Sequence, residues 1–164
     1  MFEKVKAFIK NSIPEIVLAA LSVLVGVLSA FLTKGNMDIY ERIEVPPLAP
    51  PSWLFPIAWG ILYILMGIGA GMIYKERTGK GDYAQGALML FFIQLVFNFF
   101  WSIIFFNLQT FWLSLAVLIA LLLLVVIMSF RFYKIRPIAA YLQIPYIVWL
   151  AFAIYLNLAI AILN

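Results

Sequence analysis

The 164-residue sequence contains no cysteine and no histidine. These absences exclude disulfide bonds, Cys/His zinc sites, a His-ligated haem iron, and any histidine base or cysteine nucleophile. Charge is scarce too, with Asp, Glu, Lys and Arg making up only 11% of the chain. The apolar stretches hold no carboxylate pair, nucleophile triad, metal-ligand cluster or phosphate-cradling loop. By themselves the residues therefore point to no enzyme.

What is present in excess is apolar side chain. Hydrophobic residues form 66% of the sequence, and mean hydropathy is +1.10. Apolar runs of about 18 residues or more recur, each long enough to cross a bilayer core. Almost no chain is left for a soluble domain. The sequence therefore predicts an all-α membrane protein, a five-transmembrane-helix bundle forming a single domain over residues 1–164.

The first span is expected at 14–33, after a segment carrying Lys4, Lys6 and Lys10. That segment resembles the n-region of a signal peptide, but the apolar run behind it is too long for an h-region. Glu15 stands where a carboxylate suits a helix N-terminus. Ser22, Gly26 and Ala30 recur every four residues, a spacing that predicts close helix packing. A lid-like loop, 34–51, follows and carries Lys34, Asp38, Tyr40, Glu41, Arg42 and Glu44. Loops this long in compact chains are often functional. Its end is stiffened by Pro46, Pro47, Pro50 and Pro51. Ser52 is the expected N-cap of the second span, 53–74, and Trp53 its interfacial aromatic. Pro56 falls in the first turn, where a missing N–H does little harm.

Lys75 to Asp82 is expected as a short charged loop. From Tyr83 to Phe130 no residue is charged, a run of 48. As one helix it would extend about 72 Å, more than twice a bilayer core. The chain must turn, and Asn107-Leu108-Gln109-Thr110 is the place. The third and fourth spans then occupy 83–106 and 111–132. Arg131 to Arg136 is the next turn, and Pro137 opens the fifth span, 137–163, which Pro145 should kink.

Nine of the eleven lysines and arginines fall on the N-terminus, the 75–82 loop and the 131–136 turn. Only Lys34 and Arg42 fall on the opposite side. The positive-inside rule then predicts a cytoplasmic N-terminus and an external C-terminus. This distribution accounts for the net charge of +4 without a nucleic-acid partner. No internal repeat is visible, which argues against an inverted-repeat transporter.

Polar and aromatic residues form stripes inside the spans. Gln94, Asn98 and Ser102 share one face of the third, bordered by Trp101 and Phe105. Tyr146, Trp149, Ala153 and Asn157 fall within one quadrant of the fifth, and Trp59, Tyr63 and Met66 share a face of the second. Two readings stand. The stripes glue helices together through interhelical hydrogen bonds, or they line a pocket for a large, flat, mostly apolar ligand.

Three motifs in order resemble the TspO/MBR family of tryptophan-rich sensory proteins. The first is Pro50-Pro51 through Phe55-Pro56-Ile57-Ala58-Trp59 to Leu62-Tyr63 and Met66-Gly67. The second is Gln94, Asn98, Trp101-Ser102 and Phe105-Phe106. The third is Leu142, Pro145-Tyr146, Trp149, Phe152-Ala153 and Leu156-Asn157. The resemblance covers nearly the whole chain. It implies a five-helix bundle, commonly a homodimer in a bacterial cell membrane, that binds porphyrins and other flat hydrophobic ligands beneath the first loop. Carried over, the ligand-binding residues are Tyr40, Trp59, Tyr63, Asn98, Trp101, Ser102, Phe105, Tyr146, Trp149, Ala153 and Asn157. Trp59 and Trp149 resemble tryptophans implicated in light-dependent porphyrin breakdown, and are the catalytic candidates if this chain degrades porphyrin. No metal and no cofactor is implied, since porphyrin is the ligand.

The chain departs from the family pattern in three places. A loop tryptophan at the pocket edge is replaced by Leu48, within Val45-Pro46-Pro47-Leu48. No basic residue follows Tyr155, so the family's sterol motif is absent. The small-residue dimer motif of the third span is weak, because Leu90 follows Gly86. Gly67 and Gly71, or the Ser22/Gly26/Ala30 stripe, are the alternative dimer faces. Porphyrin propionates are anionic, and Lys34 and Arg42 are the only cations on the loop side, so the propionates are expected to point there.

Overall fold

A backbone in lipid has no hydrogen-bond partner but itself, so uncharged apolar runs of this length fold as helices. The computed structural model describes residues 11–164 and has five helical stretches long and apolar enough to cross a membrane. Lys4, Lys6 and Lys10, on which part of the orientation argument rests, lie outside the described residues. Helix α1 is Ile13–Thr33, α2 is Leu54–Lys75, and α3 is Arg77–Ser102, which runs on into a π-helical turn, Ile103–Asn107. Helix α4 is Phe111–Ile135; a short α5, Pro137–Tyr141, and α6, Ile144–Leu163, together make the fifth span.

The turn expected at 107–110 is there. Gln109 takes a left-handed backbone at φ +52°, and the Thr110 carbonyl opens α4 by accepting from Ser114 N. The charged turns are shorter than the sequence predicts. The range of α3 starts at Arg77, so Arg77–Lys80 form one helical turn within the expected loop, between the turn residue Glu76 and the non-helical Gly81 at φ +43°. Helix α4 continues through Arg131 to Ile135. Long basic side chains bury their stems and carry the charge outward, so they do not oblige a helix to stop. Ser52 is not the cap of α2. That position belongs to Trp53, with no side-chain capping bond. Pro145 does more than kink the fifth span: the helix breaks at Leu142 and Gln143, and Pro145 sits in the first turn of α6, where its ring costs least.

Helices α1 and α2 meet backbone to backbone. A Cβ added at Gly67 would collide with Ala19 Cα and the Leu18 carbonyl, and one at Gly71 with the backbone of Glu15. Gly26 lies under the Tyr63 ring. These glycines are therefore used within the chain, which corrects their candidacy as a dimer face. Lys75 Nζ bonds Glu15 Oε1 at 2.5 Å and the Asn11 carbonyl at 3.1 Å, fixing the end of α2 to the start of α1.

The long loop is ordered against the bundle. Lys34–Glu41 is a 3₁₀ helix that buries Ile39. Asn36 Nδ2 donates to Asn107 Oδ1, whose own amide donates to the Leu32 carbonyl. Further along, the Tyr155 hydroxyl donates to the Pro47 carbonyl at 2.7 Å. Asn164 clasps Glu44 both ways, accepting from its N–H and donating to its carbonyl.

Candidate ligand-binding site

Beneath this loop, α1, α2 and the end of α3 border a half-open cavity of about 220 Å³. Trp59 is its centrepiece. The ring lies 5.7 Å from Tyr63 and 5.9 Å from Trp101, both tilted by about 35°. Phe55 and Tyr40, stacked at 5.4 Å, close the loop end. The wall on the other side is α1, with Val23, Gly26, Val27, Ser29, Ala30 and Thr33. The π turn after Ser102 inserts an extra residue per turn. Phe105 is buried in the core, while Phe106 lines the cavity.

The structure divides the residues singled out from the sequence into two groups. Tyr40, Trp59, Tyr63, Trp101 and Ser102 line the cavity. Asn98, Phe105, Tyr146, Trp149, Ala153 and Asn157 do not. Asn98, Tyr146 and Asn157 are bonded within the bundle, in two separate knots, while Trp149 Nε1 is buried without a partner. The Tyr63 hydroxyl donates to Asn98 Oδ1 at 2.6 Å, Asn98 Nδ2 to the Tyr146 hydroxyl, and that hydroxyl to Gln94 Oε1, both at 2.9 Å. Gln94 Nε2 reaches Met66 Sδ at 3.5 Å. A second knot joins Trp101 Nε1 and Ser114 to Asn157 Oδ1, while Asn157 Nδ2 donates to the Phe111 carbonyl. These amides are buried and partnered within the protein, as polar groups between membrane helices must be. Trp149 stands one layer behind the wall, edge-on to Trp59 at 6.4 Å and to Phe55 at 6.0 Å.

Leu48 is 81% exposed, at φ +69°, and takes no part in the cavity wall. It therefore does not occupy a pocket-edge position. Lys34 and Arg42 are also off the wall. Lys34 lies over the Phe31 ring, and Arg42 pairs with Asp38 at 2.9 Å. The neighbouring hollow in the loop, of about 280 Å³, is bordered by Asp38 and Glu41 and shares Met37 and Tyr40 with the main cavity. The loop-side surroundings are thus acidic rather than basic. Among the described residues no group of three His, Cys, Asp or Glu could hold a metal ion.

Sequence reasoning missed the α1 wall. Its residues are small and apolar, apart from Ser29 and Thr33, and the Gly26/Ala30 spacing reads as packing. That spacing was the available signal, since small residues facing a large ring leave either a tight contact or a space. Here Gly26 gives the contact, with Tyr63, and both residues line the space.

The TspO/MBR family model matches residues 18–163. The chain is 36% identical over 155 residues to the tryptophan-rich protein TspO of Archaeoglobus fulgidus, covering 93% of this chain and 99% of that protein. It is 35% identical to the tryptophan-rich protein TspO of Chlorobaculum tepidum, covering 83% and 85%. It is 34% identical to the translocator protein of Bos taurus, covering 88% and 86%.

Proposed function

The chain belongs to the TspO/MBR family of integral membrane proteins, and from that premise we propose that it binds flat, mostly apolar ligands of the tetrapyrrole class beneath its long loop, as a transport or sensing step. The observation that carries this reading is the aromatic wall, in which Trp59, Tyr63 and Trp101 surround an open space instead of filling it. Aromatic faces with few polar groups suit a planar conjugated ligand. The bovine relative's name, translocator protein, supports the transport arm. The basic residues at 75–80 and 131–136 support a cytoplasmic position for that end under the positive-inside rule.

The cavity is smaller than the roughly 300–1,000 Å³ usual for ligand pockets. A macrocycle therefore requires the loop to shift, or projects between helices. The test is a protoporphyrin titration in detergent, followed by tryptophan quenching. Saturable quenching is expected, with affinity falling at least about tenfold in Trp59→Leu, as for a buried aromatic anchor. Quenching that never saturates, or is unchanged in Trp59→Leu, overturns the reading.

A second reading, light-dependent porphyrin breakdown, draws on the edge-on contact of Trp59 with Trp149. Illumination of bound protoporphyrin should then produce a new absorption spectrum that Trp59→Phe abolishes. A Trp59→Phe variant that reacts normally removes Trp59 from that role.

A further inference from the structure

Ser29 is the one buried hydroxyl without a hydrogen-bond partner among the described residues. It is 3% exposed, sits on α1, and contributes to the cavity wall opposite the aromatic face. Its isolation is unusual for this fold. Serine in a membrane helix commonly returns its hydroxyl to the carbonyl four residues earlier. Ser22 does so to Leu18 at 2.8 Å and Ser129 to Val125 at 2.7 Å, while buried Ser114 meets Phe111 O and Asn157. Thr33, one turn beyond Ser29, gives its hydroxyl to the Ser29 carbonyl. Among these buried hydroxyls that of Ser29 alone has no partner, and a lone buried hydroxyl in an apolar surround costs free energy unless something accepts from it.

We propose that Ser29 is a specificity-determining hydrogen-bond donor, which favours flat ligands that present a carbonyl or similar acceptor on the edge facing α1. A single χ1 rotation between staggered positions sweeps the hydroxyl across the wall, so no backbone movement is needed. The rest of the geometry is consistent with this division of labour. The aromatic wall of Trp59, Tyr63 and Trp101 takes the ring face, whereas the Tyr63 hydroxyl is already committed to Asn98 and the Thr33 hydroxyl to Ser29 O. The cavity volume of about 220 Å³ admits a probe of two or three fused rings without the rearrangement that a macrocycle requires. This assignment rests on the reading that the cavity binds flat ligands, and narrows it to those with an acceptor.

The probes are 9-fluorenone and fluorene, which share a flat tricyclic frame and differ in one carbonyl. Binding is read as ligand-induced thermal stabilisation of the purified protein in detergent, which follows mass action for any ligand that binds the folded state. The wild-type protein is expected to bind fluorenone about three- to tenfold more tightly than fluorene, the span of one net hydrogen bond. Ser29→Ala should abolish that preference and leave fluorene binding intact. The carbonyl stretch of bound fluorenone should lie at lower wavenumber in the wild type than in Ser29→Ala, a shift that a merely structural role would not produce. Both probes binding with the same preference in wild type and Ser29→Ala overturns the Ser29 assignment alone. Neither probe binding to the wild type, while protoporphyrin saturates, also overturns it and leaves the binding reading standing. Failure of all three ligands overturns both. The wild-type preference and carbonyl frequency need no variant, so a poorly folding Ser29→Ala leaves the assignment falsifiable.

Discussion

The Tyr63 hydroxyl donates to Asn98 Oδ1 at 2.6 Å, and this bond joins the cavity wall to the polar core of the bundle. Tyr63 presents its ring to the cavity and its oxygen to the interior. Asn98 passes the connection to Tyr146 and Gln94, and so ties α2, α3 and α6 together.

Asn98 is thus a structural residue whose loss reaches the cavity indirectly. Asn98→Leu leaves the Tyr63 hydroxyl without its acceptor and removes the bond that the Tyr146 hydroxyl accepts, while Tyr146 keeps Gln94, and should lower stability by about 1–2 kcal/mol, the range for buried hydrogen bonds between membrane helices. Thermal unfolding in detergent measures this. Ligand affinity in Asn98→Leu should fall less than in Trp59→Leu; an equal or larger fall with unchanged melting temperature would place Asn98 in direct contact with ligand.

The α1–α2 contact admits no added atom at Gly67 or Gly71, because the obstacles are backbone. Gly67→Ala should cost about 1–3 kcal/mol, as overpacking does in a close-packed interior. Gly60→Ala is the control, since a Cβ there meets nothing within 4 Å. A melting temperature lowered in Gly67→Ala and held in Gly60→Ala is the expected pair of results.

Loop closure depends on a few exposed hydrogen bonds, among them Tyr155 to Pro47. Tyr155→Phe removes that bond and nothing from the cavity wall. Amide exchange at 43–48 should accelerate. Where a macrocycle enters by a shift of the loop, association and dissociation of protoporphyrin should both quicken while Kd changes little. Unchanged rates would show that ligands enter elsewhere.

Charge around the loop sets a further preference. Arg42 is engaged by Asp38, and Asp38 and Glu41 border the outer hollow. Protoporphyrin dimethyl ester should therefore bind at least as tightly as the diacid. Asp38→Asn combined with Glu41→Gln should improve diacid binding about two- to fivefold at low salt, the scale of exposed charge interactions. A diacid that outcompetes its ester in the native protein would restore the expected role of Lys34 and Arg42.

The five spans were legible because length and charge leave few choices. Forty-eight uncharged residues cannot cross a bilayer once, and Asn107 to Thr110 is the polar break in that run. The helix ends at Arg77 and Ile135 were not legible, because lysine and arginine read as loop in sequence yet continue a helix in space. The candidate site was half legible. Trp59 and Tyr63 of the α2 stripe face the cavity, whereas Asn98 and Tyr146 bond each other and Asn157 is held by Trp101, Ser114 and the Phe111 carbonyl. Periodicity says which residues share a face, but not whether the opposing face offers a partner or a space. Ser29 illustrates the limit, since a serine among apolar residues carries no signal until its neighbours' hydroxyls are accounted for.

Three of the five tryptophans also form a single optical unit. Trp59 stands 5.9 Å from Trp101 and 6.4 Å from Trp149, close enough for absorbed light to migrate among the indoles before it is emitted. Emission from Trp149, which is off the wall, will therefore dim when a ligand covers Trp59. Replacing Trp149 will alter the brightness of the whole cluster without touching a ligand. The three indoles behave as a small antenna, two of whose members stand on the cavity wall.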